Sequence, residues 1–144
     1  MKRWTAPFIA AFFLASCGGT ITLIQANRNW MSQSNFAHAH QALIGDARTS
    51  EQVLLDRTSS SAVLHTVCGV LLVDTEAANS SLPTPDAQST ELLGRAYNAF
   101  GGGANTCYRA GSDITQRARA LKYLHQALAD LSFASIRLSI ASGR

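Results

Sequence analysis

The sequence predicts an all-α, single-domain bundle of about four helices behind an N-terminal signal segment. Apolar residues recur at steps of three and four in several separate segments, which is the helical period. Prolines and glycines separate those segments, and residues 17–144 are long enough for one domain with a buried core. Amphipathic helices in so short a chain must bury their apolar faces against one another.

The first element is a predicted lipoprotein signal peptide, residues 1–16. Lys2 and Arg3 precede an uncharged apolar run, which is the pattern of an export signal. The run ends in LASC, which resembles the bacterial lipobox. That resemblance implies cleavage before Cys17, whose thiol carries a lipid with acyl chains such as palmitate. The protein is then expected to be exported and held by Cys17 at the outer face of the bacterial cell membrane.

Two other interpretations of this segment stay open. Residues 4–26 carry no charge, and about 20 apolar residues cross a bilayer, so an uncleaved anchor fits the length. Ordinary signal-peptidase cleavage would instead leave Cys17 as a free thiol. The number of cysteines favours lipidation, because the chain has three and modification of Cys17 leaves Cys68 and Cys107 as an even pair. An exported compartment allows that pair to form a disulfide.

Residues 17–34 are predicted to be a tether, and residues 35–144 the helical bundle domain. The first predicted helix covers residues 35–57 and is weakened by a central glycine. The second begins at an N-cap within the serines at 59–61 and carries apolar residues at helical steps as far as Ala78.

The third predicted helix follows the segment SLPTPD. Thr84 is its expected N-cap and Pro85 its first residue, because proline suits the first helical position. It runs through Phe100 and is weakened by Gly101–Gly103, each costing about 1 kcal/mol relative to alanine.

The last predicted helix covers about residues 113–139. Its polar residues lie largely opposite an apolar stripe, so the stripe must be buried against the other helices. The stripe consists of Ile114, Ala118, Leu121, Leu124, Leu128, Leu131 and Leu138.

GVLLVDTE, residues 69–76, also fits a buried parallel strand that delivers Asp74 and Glu76 to a metal or phosphate site. The companion phosphate loop is missing, and GGGANT has no lysine to reach a phosphate. The helical period and the length of the apolar segment favour a helix instead.

No motif for catalysis or metal binding is visible. His38 and His40 point about 200° apart on a helix, so they cannot chelate one ion there. His65 and Cys68 share a face, but two ligands make a weak site. No serine lies in a G-x-S-x-G motif. We therefore predict a protein that is not an enzyme and has no metal or cofactor.

The charge balance argues against nucleic acid as a partner. Residues 17–144 hold ten Lys or Arg and nine Asp or Glu, and there is no polybasic arm. The charges are uneven, since residues 17–94 hold three cations and seven anions whereas residues 95–144 hold seven cations and two anions. An acidic half packed beside a basic half explains this pattern, and a basic face that meets an anionic partner or membrane is the alternative.

A disulfide between Cys68 and Cys107 meets a geometric objection. Counted outward from the SLPTPD turn, Cys107 is about ten residues farther along its helix, an axial mismatch of about 15 Å. Bridged Cα atoms must lie within about 7 Å of each other. Either the proline segment extends beyond the second helix, or Gly101–Gly103 lets the following residues turn back. Two separately buried free thiols are the alternative to a bridge.

Three stretches of the chain resemble small exported helical proteins of actinobacteria. They are LHTVCGVLLVD, ANSSLPTPD and CYRAG. The resemblance implies a secreted helical domain and supplies no catalytic residue. The expected function is that of a lipid-anchored structural or protein-interaction module with the membrane and an unknown envelope protein as partners. The alternative is a bundle that binds a small apolar ligand between its helices.

Overall fold

The computed structural model describes residues 22–144, and all regular structure in that range is helical. The all-α prediction is confirmed for this range, with five helices where about four were expected. The helices are α1 (Leu23–Gln33), α2 (Phe36–Leu55), α3 (Ser61–Asn79), α4 (Ala87–Ala110) and α5 (Ile114–Ala141).

Four of the helices surround one core. α4 packs against α3 and α5, and α2 packs against the other sides of α3 and α5. Short connections make successive helices antiparallel, so each inner face meets the faces of its two neighbours. Side chains with no accessible surface fill the centre, among them Leu43, Leu64, Leu71, Phe100, Leu124 and Leu138.

α1 lies inside residues 17–34, the range predicted to be a tether. It crosses the end of the bundle at which α3 and α5 terminate. The Trp30 indole nitrogen donates a hydrogen bond of 2.9 Å to the Ser81 carbonyl, and the Asn27 amide donates one of 3.5 Å to the Ala141 carbonyl. α1 is therefore a folded helix docked on the bundle, which corrects the tether prediction over its length.

The N-cap prediction succeeded for α3 and failed for α4. Ser60 caps α3, since its hydroxyl accepts the backbone N–H of Val63 at 3.3 Å. α4 is capped by Asp86, which accepts the backbone N–H of Ser89 at 2.9 Å, and not by Thr84. The Thr84 hydroxyl instead donates to the Asp86 carbonyl at 2.6 Å. A carboxylate is the stronger acceptor at a helix N-terminus, where the backbone dipole is positive.

Asp86 also links α4 to α5. Arg137 donates to both carboxylate oxygens, from Nη2 at 2.7 Å and from Nε at 2.9 Å. These hydrogen bonds from Arg137 hold the pKa of the Asp86 carboxyl well below its usual range. The carboxylate stays ionised at any physiological pH, so the cap and the link between the two helices persist together.

Arg117 joins three chain segments at the opposite end of the bundle. Its side chain is buried, and it donates to the carbonyls of Gly111 at 2.7 Å, Asp56 at 2.7 Å and Ser59 at 2.9 Å. These acceptors belong to the end of α4 and to the connection between α2 and α3. A buried guanidinium is tolerated here because backbone oxygens take up its donors.

The predicted apolar stripe of α5 is correct in its later part and wrong at its start. Leu124 is fully buried, whereas Ile114 and Ala118 are exposed. Arg117 and Ala120 take the inward positions in the first turns. The stripe was misplaced there because the residue that turns inward, Arg117, is a cation that the periodicity counted as polar.

Candidate functional site

α3 carries more apolar residues than it buries in the core. Among residues 22–144 it is the one helix long and apolar enough, by length and composition, to cross a membrane, and less than a third of its apolar part is buried. The core helix of a soluble protein can pass the same test. Its inner face carries the fully buried Leu64, Cys68 and Leu71. The surplus of apolar residues therefore lies on its other side.

We call that side the α3 outer face. It carries no charge along its centre and is built from small and β-branched side chains, and Val73 is 63% exposed. α3 contains no lysine or arginine, and its acidic residues are Asp74 and Glu76. Exposed apolar surfaces of this kind are typical of contact sites for other macromolecules. The α3 outer face comprises Ala62, Val63, Thr66, Val70, Val73 and Ala77.

A cavity of about 190 Å³ opens between α2 and α3. Ser34, His38 and Asp74 line it, which are the residue types of a serine-hydrolase triad. The Ser34 hydroxyl is buried and has no hydrogen-bond partner, so His38 does not accept its proton. Since a serine nucleophile needs a base within hydrogen-bond distance, these residues are not assembled for acyl transfer.

Asp74 faces a second carboxyl group, that of Asp46 on α2. Burial raises the pKa of Asp46 to about 6, helped by a side-chain hydrogen bond and charge repulsion from Asp74. With both groups ionised, Asp46 Oδ2 is buried without a donor. A proton on Asp46 removes the repulsion and supplies the missing donor. The two carboxyl groups lie together between α2 and α3, and burial favours the protonated form of Asp46.

The histidines are dispersed over the surface. His65 stacks on Tyr108 with ring centroids 4.2 Å apart, which links α3 to α4. His125 Nε2 lies 3.3 Å from Glu51 Oε1, between α5 and α2. Within the described residues no three His, Cys, Asp or Glu side chains are grouped to hold a metal ion.

The structure places Cys68 and Cys107 at disulfide distance, with Cα atoms 5.9 Å apart. Cys68 lies 11 residues before the end of α3 at Asn79, and Cys107 lies 20 residues after the start of α4 at Ala87. Measured along each helix axis from the turn, Cys107 is therefore about 14 Å farther away than Cys68. Residues 80–86 span this difference.

The first of the two geometric solutions is therefore the observed one. α4 runs through Gly101–Gly103 without a break. The helix does not turn back after the glycines, and the proline segment extends past the end of α3 instead. Cys17, the predicted lipid attachment site, and the predicted signal peptide lie outside the described residues.

No family model, curated protein or solved structure matches the chain. The resemblance to exported actinobacterial proteins therefore stays a prediction, and no relative supplies an activity or a partner. The assignment of function rests on the surfaces and side chains of this molecule.

Two of these features were not predicted from the sequence. The pairing of Asp46 with Asp74 has no local signal, because the residues lie on different helices. The α3 outer face did have one: Val63, Val70 and Val73 lie outside the inward positions of a helix whose apolar residues extend beyond one face. A helix with apolar residues on more than one face predicts a contact with another molecule in addition to its packing in the domain core.

Proposed function

We propose that this protein is a lipid-anchored cell-envelope protein whose α3 outer face docks an apolar helix of another envelope protein. One observation carries the proposal: an uncharged, apolar helix face remains exposed along α3 after the core is complete. Burial of apolar area is the main favourable contribution to most protein association. A partner that covers this face gains that contribution without desolvating a charge.

The chemistry of the α3 outer face defines the partner. α3 has 19 residues, a length of about 28 Å, so it offers room for about five turns of a second helix. Its small residues allow close approach of the two backbones. Asp74 and Glu76 border one end, so a matching partner carries Lys or Arg where it passes that end.

The alternative of a small apolar ligand held between the helices has less support. Side chains with no accessible surface occupy the inner positions of α2, α3, α4 and α5. A ligand in the core would have to displace them, and close-packed interiors resist that change.

Site-specific photo-crosslinking tests the docking proposal in cells that produce the full chain. A photoreactive residue at Val73 is expected to give one discrete product with a protein partner. The same residue at Lys122, which is exposed on α5, is the matched control and is expected to give none.

A second substitution then ties the product to the apolar surface. Val70→Asp places a charge on the α3 outer face, one turn from Val73, and should abolish the product while the domain stays folded by circular dichroism. Equal products from Val73 and Lys122, or a product that survives Val70→Asp, would refute docking at this face. A product with the mass of two copies of this chain would show that the α3 outer face binds a second copy of the protein, which would refute a different envelope partner.

The proposed anchor has a separate test. Cys17→Ala removes the thiol that would be acylated, so the variant should leave the membrane fraction or accumulate as an uncleaved precursor. If the variant fractionates and migrates as the unmodified chain does, Cys17 is not a lipid attachment site.

A further inference from the structure

We propose that the folded domain itself lies against an anionic bilayer through the end formed by α1 and the last turns of α5. This inference deepens the proposed membrane location, but it concerns the domain and not the lipid on Cys17. We call the surface concerned the basal patch. It consists of five exposed apolar side chains, Leu23, Ile24, Phe133, Ile136 and Ile140.

The α5 part of the patch occupies one side of the helix. Phe133, Ile136 and Ile140 follow helical spacing and face away from the core, and Ile140 is 63% exposed. Earlier in the helix the same outward side carries Lys122 and Gln126, which are polar and exposed. The outward side of α5 therefore changes from polar to apolar along its length, and the apolar part lies at the end that α1 crosses.

The α1 part of the patch adjoins this end. Ile24 lies beside Gly143, three residues beyond Ile140, since a methyl group at Gly143 would be 3.4 Å from Ile24 Cγ2. Thr22 is the N-cap of α1, so the chain outside the described range joins the domain directly next to Leu23. From Cys17 to Ile21 that chain carries no charge. Cys17, the proposed lipid attachment site, lies six residues before Leu23, so a lipid there would hold the basal patch close to the bilayer.

Charge separates the basal patch from the α3 outer face. Arg28 donates to the carbonyls of Ser142 at 2.8 Å and Gly143 at 3.3 Å, which places a guanidinium beside the patch. Apolar side chains bordered by cations are typical of surfaces that lie in the interface of an anionic membrane. α3 carries acids and no cation, so anionic lipid attracts the basal patch and repels the α3 outer face.

Fluorescence quenching by brominated lipid tests the inference with the full 144-residue chain. The protein is reconstituted in vesicles of phosphatidylglycerol and acyl-brominated phosphatidylcholine. Trp4→Phe serves as the parent, and Ile140→Trp or Ile114→Trp is added to it. The parent keeps Trp30 on α1, so its emission with and without bromine is recorded separately and subtracted. Ile114 is the matched control, because it is the same residue type on the same helix, 64% exposed against 63% for Ile140, at the opposite end.

Bromine in the acyl region should reduce the emission of the tryptophan at 140 about twofold, since interfacial side chains reach about 5–10 Å into the boundary. The tryptophan at 114 should keep its emission. Vesicles of phosphatidylcholine alone should weaken the effect at 140. Equal quenching at the two positions, or quenching at neither, would overturn the proposal.

Additional variants separate this proposal from the others. Ile136→Asp should reduce quenching at position 140, whereas Val73→Asp, the same chemical change on the α3 outer face, should leave it unchanged. In the unprocessed chain, the emission that is lost on Trp4→Phe reports insertion of the N-terminal segment. If Trp4 is quenched and the tryptophan at 140 is not, the segment is inserted and the basal patch is not a membrane surface. Loss of the Val73 crosslink alone would refute the docking partner without affecting the patch.

Discussion

α3 and α5 use the same inner face and very different outer faces. Each buries leucines in one core, Leu64 and Leu71 from α3 and Leu124 and Leu131 from α5. The outward side of α3 is uncharged and largely apolar along its centre, with acidic residues at its border. The outward side of α5 is polar in its first half and apolar in its last turns, where the basal patch lies.

This difference shows that an exposed apolar surface is informative only together with its charges and its position. The α3 outer face runs along a helix whose only charged residues, Asp74 and Glu76, are acidic. A long face without a cation suits contact with a helix of another protein. The basal patch is short, borders Arg28 and adjoins the chain that precedes α1. The same hydrophobic effect therefore favours a protein partner at one surface and a bilayer at the other.

The largest effect is expected from placing a negative charge on the inner side of α5, compared with the same charge on its outward side. Leu124→Asp places an unpaired charge in the core and should cost about 5 kcal/mol, enough to unfold many domains. Lys122→Asp, on the outward side, should change the free energy of unfolding by less than about 0.5 kcal/mol. Urea denaturation of the two variants measures both. Similar losses would mean that the outward side of α5, and with it the comparison with α3, is assigned wrongly.

The position of α3 depends on the link between Cys68 and Cys107. A bridge here has a sequence separation of 39 residues, and the chain-entropy relation gives about 4 kcal/mol for a loop of that size. Reduction should lower the melting temperature by many degrees while helix content persists below the transition. Non-reducing peptide mapping is the direct measurement. Two thiols that are alkylated independently, in protein purified without reductant, would remove the bridge and the cysteine-count argument for Cys17.

Close approach of α4 to α5 depends on Gly103. A methyl group there would lie 2.8 Å from Leu124 Cδ2 and 3.2 Å from Tyr123 Cβ, so Gly103→Ala should destabilise the domain by about 2 kcal/mol. Gly101 has open space at the same point, and Gly101→Ala should stabilise by about 0.5–1 kcal/mol through helix propensity. Thermal denaturation of the pair checks the sign of each change. Stabilisation by both would show that α5 does not pack as closely on α4 as described.

The smallest effect concerns the contact of α3 with α2 through Asp46 and Asp74. The pKa of Asp46 is raised from 3.8 to about 6, so the folded state holds this proton more tightly than the unfolded state. Its contribution to stability is complete below pH 3.8 and is lost as the pH rises through 6. Asp46→Asn keeps a neutral donor toward Asp74. The variant should be more stable at pH 7.5 by about 1 kcal/mol, a value reduced for solvent screening.

A control of opposite sign is available in Asp56. Hydrogen bonds from the hydroxyl and backbone N–H of Thr58 lower the pKa of Asp56. Its contribution is present above the ordinary pKa and is lost as the pH falls through the lowered one. Asp56→Asn should therefore lose stability near neutral pH. Melting temperatures measured between pH 4 and pH 8 distinguish the two, and parallel curves for both variants would contradict the assignment of Asp46.

The helices and their caps could be predicted from the sequence wherever neighbouring residues alone determine the structure. Ser60 caps α3 because serine precedes a regular apolar pattern and nothing nearby competes. Asp86, and not Thr84, caps α4 because Arg137, 51 residues away, donates hydrogen bonds that hold the Asp86 carboxylate in place. The first turns of α5 were misplaced for a related reason, since the inward position of Arg117 depends on carbonyls of other helices.

The candidate sites divide in the same way. The apolar surplus of α3 is visible in its composition, whereas helical periodicity alone predicts a single buried face. The Asp46 and Asp74 pair could not be found, since nothing in the sequence specifies which positions of α2 and α3 meet. Residues 17–34 are predicted to be a tether because the docking of α1 has no local signal: it depends on Trp30 and Asn27 reaching carbonyls of distant residues.

Arg117 also has a consequence for the order in which the chain matures during synthesis. The carbonyls of Asp56 and Ser59 are made about 60 residues before the guanidinium that binds them. Until α5 has crossed the membrane and docked, the last turn of α2 and the start of the following connection lack these bonds and fray as free helix ends do. A nascent chain that stops short of residue 117 would therefore be open to proteases at residues 53–59, and completion of α5 would close that site.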